Sequence, residues 1–216
     1  MKKEDQILDL EEIYGIRDKR NHYYPHKKVG YPPVFVWPVK PFSAVKWIFS
    51  FPGYFLPWNL FYLFVGLIAW YILSPPLETY KHITISLLAF VFARNSVLVA
   101  IYYGSFHIWL FIRRNQGTSF KFNPRWPNSR NKIFLFGNQT LDNIFLTFTS
   151  GVGIWTLFEV FLISLAANGH LKLISPMEQP IYFAVMIFLI HLWRDLHFYL
   201  IHRLIHWKPL YRMAHH

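Results

Sequence analysis

Across 216 residues the chain is 54% hydrophobic and 20% aromatic but only 15% charged, far from the roughly 25% charged of soluble domains, which excludes an ordinary water-soluble globule. Its net charge of +11 would raise nucleic acid as a partner in a soluble protein. Here the cations sit in blocks between apolar runs, which points to anionic headgroups of a lipid bilayer and not to nucleic acid. With no cysteine, a disulfide framework or a thiolate metal site is impossible.

The spacing predicts an all-α integral membrane protein of about four transmembrane helices in two hairpins, followed by the start of a cytoplasmic histidine-rich cap. Residues 1–47 read as a cytoplasmic N-terminal segment, its first 24 residues charged and loose. Five prolines between Pro25 and Pro41 forbid a continuous helix there. The N-terminal Met1, Lys2, Lys3, Glu4 and Asp5 begin no apolar signal-peptide core, so the first span is expected to be its own membrane signal. From Lys40 to Trp58, aromatic residues including Phe42, Trp47, Phe51 and Tyr54 suit an interfacial stretch.

The transmembrane domain is expected over 48–206. Its spans run from about Pro52 to Leu73, His82 to Phe111, Asn143 to Ala166 and Pro180 to Ile201, each with the roughly 20 residues that cross a bilayer and the second long enough to project beyond it. Ser74, Pro75 and Pro76 end the first span and make a hairpin with the second. A cytoplasmic loop at about 112–142 separates this hairpin from the next; at about thirty residues it is long enough to be functional or disordered. Residues 1–47 hold nine Lys or Arg and the loop Arg113–Lys132 holds six, against Lys81 and Lys172 alone in the two opposite connections. The positive-inside rule then puts both termini in the cytoplasm, in the endoplasmic reticulum or a bacterial inner membrane. Asn138, Gln139 and Thr140 fit a glycosylation sequon on the side where it goes unmodified.

Ionisable residues inside spans are costly and are paired or functional. Arg94 and Asn95 in the second span are expected to face the bundle interior, with Glu159 of the third as a buried partner. Arg194 and Asp195 lie at membrane depth in the fourth. Asp195 has two readings: it neutralises an arginine on another helix such as Arg94, or it accepts from and orients a ligand histidine.

Six of the eleven histidines lie between His191 and His216. His191, Asp195, His202 and His206 are spaced 4, 7 and 4, which puts them on one helical stripe. His197, five residues before His202, points about 140° away. His22, His26, His82 and His170 read as ordinary interfacial polar groups. His107 stands apart from these, near the cytoplasmic end of the second span and on the side of the cluster. An i, i+4 pair at His202 and His206, with His215 nine residues on past Lys208 and Pro209, offers imidazoles to a metal from two directions.

The segment from Asp195 to His215 resembles the histidine boxes of the fatty acid hydroxylase and sterol desaturase superfamily. That pattern is Asp, a short aromatic stretch, HisArgXaaXaaHis, LeuTyr, then HisXaaXaaHisHis. Asp195, Tyr199, His202, Arg203, His206, Leu210, Tyr211 and His215 match it. The resemblance implies a membrane-bound, non-haem di-iron oxygenase that hydroxylates or desaturates a hydrophobic lipid substrate. It implies two iron ions, molecular oxygen as co-substrate and a cytochrome or ferredoxin-type electron donor. Carried over residue by residue, the metal ligands are His202, His206 and His215. His216 falls in a spacer, and the closing HisHis would fall past His216, so residues 195–216 are expected to be the truncated start of the histidine-box domain. The chain is then the N-terminal portion of such an enzyme and does not complete a di-iron site alone.

Two other classes fit the same residues. One is a non-catalytic membrane scaffold or pseudoenzyme; the other is a haem-binding electron-transfer protein, although axial histidines come from facing helices and not from i, i+4 on one. Sterol, sphingoid base, fatty acyl chain and carotenoid suit an aromatic and aliphatic pocket equally.

Overall fold

In a computed structural model, which describes residues 14–26 and 30–214, three helices among the described residues are long and apolar enough to cross a membrane. They run over Ile85–Ile112, Gln139–Ala167 and Pro180–Ile205. This is the architecture of a membrane protein: mostly helix, with a single two-stranded sheet among the described residues.

The chain begins with strands β1 (Gly15–Arg17) and β2 (Tyr23–Pro25), paired antiparallel with Ile16 opposite Tyr24. Helix α1 (Pro41–Phe49) follows, then a π-helical turn at Phe55–Asn59 leading into α2 (Leu60–Tyr71). Helix α3 (Ile85–His107) is extended by a π-helical turn to Ile112. Helix α4 (Gln139–Leu146) continues through a π-helical stretch, Thr147–Val152, into α5 (Gly153–Ala167). Within that stretch the Thr149 and Ser150 hydroxyls donate to the carbonyls of Phe145 and Leu146, both at 2.7 Å, a back-bonding that loosens the α-helical ladder. Last come α6 (Pro180–Ile205) and α7 (Lys208–Ala214).

The expected first span is shorter than the other three. Its apolar helix covers Phe55–Tyr71, about 25 Å at 1.5 Å per residue against a hydrocarbon core of about 30 Å. Proline trims both ends. Leu56, before Pro57, is extended (φ −101°, ψ 136°), as a residue preceding proline prefers, and Pro75 and Pro76 close the far end. Tyr62 and Tyr102 hydroxyls meet at 2.8 Å and Phe61 stacks on Tyr102, so α2 and α3 are neighbours, as the first hairpin requires.

The core lies between α3 and α5. Leu87, Val91, Arg94 and Asn95 are the buried residues of α3 and Thr156, Val160 and Ser164 those of α5. Leu87, Val91 and the adjacent Arg94 and Asn95 recur every three or four residues, and Thr156, Val160 and Ser164 every four, so each set defines one helical face. Tyr80, in the 3-10 turn Leu77–Lys81 between α2 and α3, completes the cluster at 1% exposure, and burial pushes its phenol up from 10.0. Two caps fix this end: Thr84 accepts from the Leu87 amide, and Asn168 donates to the Lys81 carbonyl at 3.2 Å.

Part of the N-terminal segment is ordered where the sequence reads as loose. Gly15 allows the hairpin's close approach, since a Cβ there would meet the Tyr23 ring and the Tyr24 carbonyl at 2.5 Å. The hairpin docks on the long loop: Tyr23 N–H donates to Phe122 O at 3.2 Å, and the Arg17 guanidinium donates to Thr118 O at 2.7 Å and Lys121 O at 3.2 Å. Asp18 closes the turn by accepting from the amides of His22 and Arg20, both at 2.8 Å. The His22 contact leads in holding its carboxyl below 3.8, against the opposing effect of burial.

Candidate metal site and polar clusters

Pro180 begins α6, and the helix runs 26 residues to Ile205 with His206 as its C-cap. The i, i+4 spacing brings the two histidines together at that end. Their Nε2 atoms are 3.2 Å apart and their rings 4.7 Å, inclined at 66°. Phe198 stacks on His202 at 5.5 Å and Tyr211 of α7 lies beside His206 at 5.5 Å. These aromatic neighbours flank both rings, and the two Nε2 atoms face each other at hydrogen-bond distance. Arg203 donates to the Tyr199 hydroxyl at 2.9 Å, so two further residues of the matched segment are engaged with each other. His206, Lys208, Pro209 and Tyr211 border an open cavity of about 740 Å³.

Two imidazole nitrogens 3.2 Å apart can both lie at the roughly 2.0–2.1 Å bond length of one transition-metal ion. The pair therefore fits two positions in a coordination sphere. Among the described residues no third His, Cys, Asp or Glu joins it. His215 lies outside the described residues.

The other members of the stripe go elsewhere. His191 is edge-on to Tyr54 at 6.1 Å, about three turns below His202, and Tyr54 donates its hydroxyl to the Phe188 carbonyl. His191 thus belongs to the contact anchoring α6 to the turn before α2. Asp195 accepts from its neighbour Arg194, Nη2 at 2.9 Å and Nε at 3.1 Å, and not from Arg94. Sequence adjacency supplies the charge that another helix was expected to provide. Among the described residues no histidine ring hydrogen-bonds to Asp195.

Arg94 is satisfied inside the bundle. Its guanidinium pairs with the Glu159 carboxylate and donates to Ser74 Oγ at 2.6 Å and Asn95 Oδ1 at 2.9 Å. Asn95, fully buried, donates to Glu159 Oε2 at 3.0 Å and Thr156 Oγ1 at 3.2 Å. The expected interior placement of Arg94, Asn95 and Glu159 holds. The charged and amide groups of the cluster are paired across helices, which marks it as architecture, while the Tyr80 and Ser96 hydroxyls beside it are buried without a partner among the described residues.

A third feature is a cleft of about 1010 Å³ between the distal half of α3, the long loop and α4. His107, stacked on Phe111 at 5.4 Å, lines it with Lys121 and Arg125. Trp126 sits between cations: Lys121 Nζ is 4.1 Å and Arg114 Cζ 4.5 Å from its ring centroid. Burial, then the nearby Arg114 charge, hold the Lys121 ammonium below 10.5. The loop is fastened to α4 by Asp142, which accepts from the Leu135 and Phe136 amides at 2.6 and 2.9 Å. Asn138 of the sequon caps α4, accepting from Thr140 N–H at 2.9 Å. Sequence reasoning missed this ordered loop and the hairpin docked on it; the dense aromatic and cationic residues from Arg113 to Trp126 were the available signal.

No family model matches the chain, and neither a curated protein nor a solved structure matches it.

Proposed function

We propose that the chain is the membrane portion of a non-haem di-iron lipid oxygenase, a hydroxylase or desaturase of sterol or fatty acyl type. The observation that carries this reading is the paired Nε2 atoms of His202 and His206, set at the end of an apolar helix inside a segment resembling the histidine boxes of that superfamily. His202, His206 and His215 are the ligands this chain contributes. A di-iron centre takes more than three, so the remaining imidazoles come from outside these residues. On this reading α2 completes a fourth crossing, both termini are cytoplasmic, and the cap over α6 and α7 holds the metal in the endoplasmic reticulum or a bacterial inner membrane.

Iron bound there supplies oxygen activation. The chain's own residues do the rest: Phe198 and Tyr211 hold the two imidazoles in register, and the exposed apolar faces of α6 meet hydrophobic substrate within the bilayer. Hydroxylation places one oxygen atom in a C–H bond and releases the other as water, consuming two electrons and two protons. Desaturation removes two hydrogens and returns both oxygen atoms as water with the same input. A cytochrome or ferredoxin-type donor provides the electrons. The polar positions of α6 support the reading as well, because Arg194, Asp195 and the histidines have no buried position on that helix and ionisable groups at membrane depth need protein or metal partners.

The full natural protein in membranes, supplied with reductant and ¹⁸O₂, tests this. A lipid that gains one ¹⁸O or loses two hydrogens supports it. Unchanged lipids in the presence of a competent electron donor overturn it.

A further inference from the structure

The cleft beside α3 has a polarity that runs along the helix. Val99, Ala100 and Tyr103 line it within the span, whereas Lys121, Arg125 and Asn128 line it on the loop beyond the span. From Val99 to His107 is about 12 Å at 1.5 Å per residue, so an apolar channel opens directly onto a cationic mouth. Between Arg113 and Leu141 there is no Asp or Glu. Asp142, the next acid, is occupied with the Leu135 and Phe136 amides. Among the described residues no carboxylate forms an ion pair with Lys121, Arg114 or Arg125. Lys121 instead donates to the Arg125 carbonyl and lies against Phe111 and Trp126. Lys121 and Arg125 thus line the mouth, with Arg114 close by at the Trp126 ring, and no carboxylate is paired with any of them, an arrangement that an entering anion relieves.

We propose that this cleft is a binding site for an anionic phospholipid, its headgroup phosphate held by Lys121 and Arg125 and one acyl chain laid along Val99, Ala100 and Tyr103. Charge complementarity selects the occupant: a zwitterionic lipid brings its own cation to a mouth already crowded with them, and a free phosphate leaves the apolar half of the cleft empty. The site is independent of the histidine pair and stands whether or not that pair holds metal.

Titration of the purified full chain in detergent with dioleoylphosphatidylglycerol or dioleoylphosphatidylcholine, read by native mass spectrometry, tests it. Phosphatidylglycerol is expected to bind roughly tenfold more tightly, in line with the attraction of one or two basic side chains near a lipid surface. Lys121→Gln with Arg125→Gln abolishes that preference. Arg130→Gln with Lys132→Gln, the same charge change outside the cleft lining, keeps it, as does His202→Ala with His206→Ala. Ala100→Trp, which fills the apolar half, weakens both lipids. Equal binding of the two lipids overturns the proposal, as does equal loss in the two charge-removing doubles, which marks diffuse surface attraction. Displacement of phosphatidylglycerol by millimolar inorganic phosphate overturns it too, marking a soluble-anion site.

Discussion

Helices α3 and α5 bury Arg94, Asn95, Thr156 and Ser164 against one another, whereas α6 carries more ionisable side chains and buries none of its residues. In the first region Arg94 and Asn95 reach Glu159 and Thr156 on the facing helix, and these contacts hold the bundle together. In the second the polar groups are served by chain neighbours, Arg194 by Asp195 and His202 by His206. The two regions therefore differ in where the partner comes from. A cross-helix pair ties two elements together, whereas the pair at the end of α6 joins two positions of one exposed helix.

The sharpest way to break this contrast is Glu159→Ala, which strands the buried Arg94 guanidinium. A loss of about 3–5 kcal/mol is expected, the usual result of removing one partner of a buried pair, measured by denaturant titration in mixed micelles. Replacing both residues by methionine should recover most of that loss. Asn95→Leu comes next: it leaves Thr156 and Glu159 short of a donor and should cost about 1–3 kcal/mol by the same assay. Compared in the metal-free state, His202→Ala with His206→Ala should leave the unfolding midpoint unchanged, because neither ring is buried. A large stability loss there would make α6 part of the architecture after all.

The smallest effect lies at the hairpin. Asp18 titrates below 3.8 through the His22 and Arg20 amides it accepts from. A carboxylate whose folded pKa is depressed contributes fully above its unfolded value and loses that contribution as pH falls through the folded one. Protection of the His22 amide against hydrogen exchange should therefore be complete at pH 6 and fall below about pH 4. Asp18→Ala should abolish that pH dependence.

The interior of the bundle was legible in the sequence because Arg94, Asn95 and Glu159 stand out within apolar runs, and the bilayer leaves such residues one place to go. Span ends were less legible: proline at 52, 57, 75 and 76 shortens the first apolar helix in a way that hydropathy averages over. The docked hairpin was hidden because each strand has three residues and its support comes from Thr118 and Lys121, about a hundred positions away. For Asp195 the sequence leaves two readings, an arginine on another helix or a ligand histidine, and its partner is the adjacent Arg194, since helical periodicity orders faces and says nothing about side chains that fold back along the chain. The His202 and His206 pair was legible because i, i+4 is a local rule.

Metal analysis of the full natural protein, purified without chelators, bears most directly on the histidine pair. Stoichiometric iron in the wild type, lost in His202→Ala with His206→Ala while the helical circular dichroism is kept, is the result expected. Iron absent from the wild type, or retained undiminished in the double variant, contradicts the assignment of these two imidazoles to a metal centre.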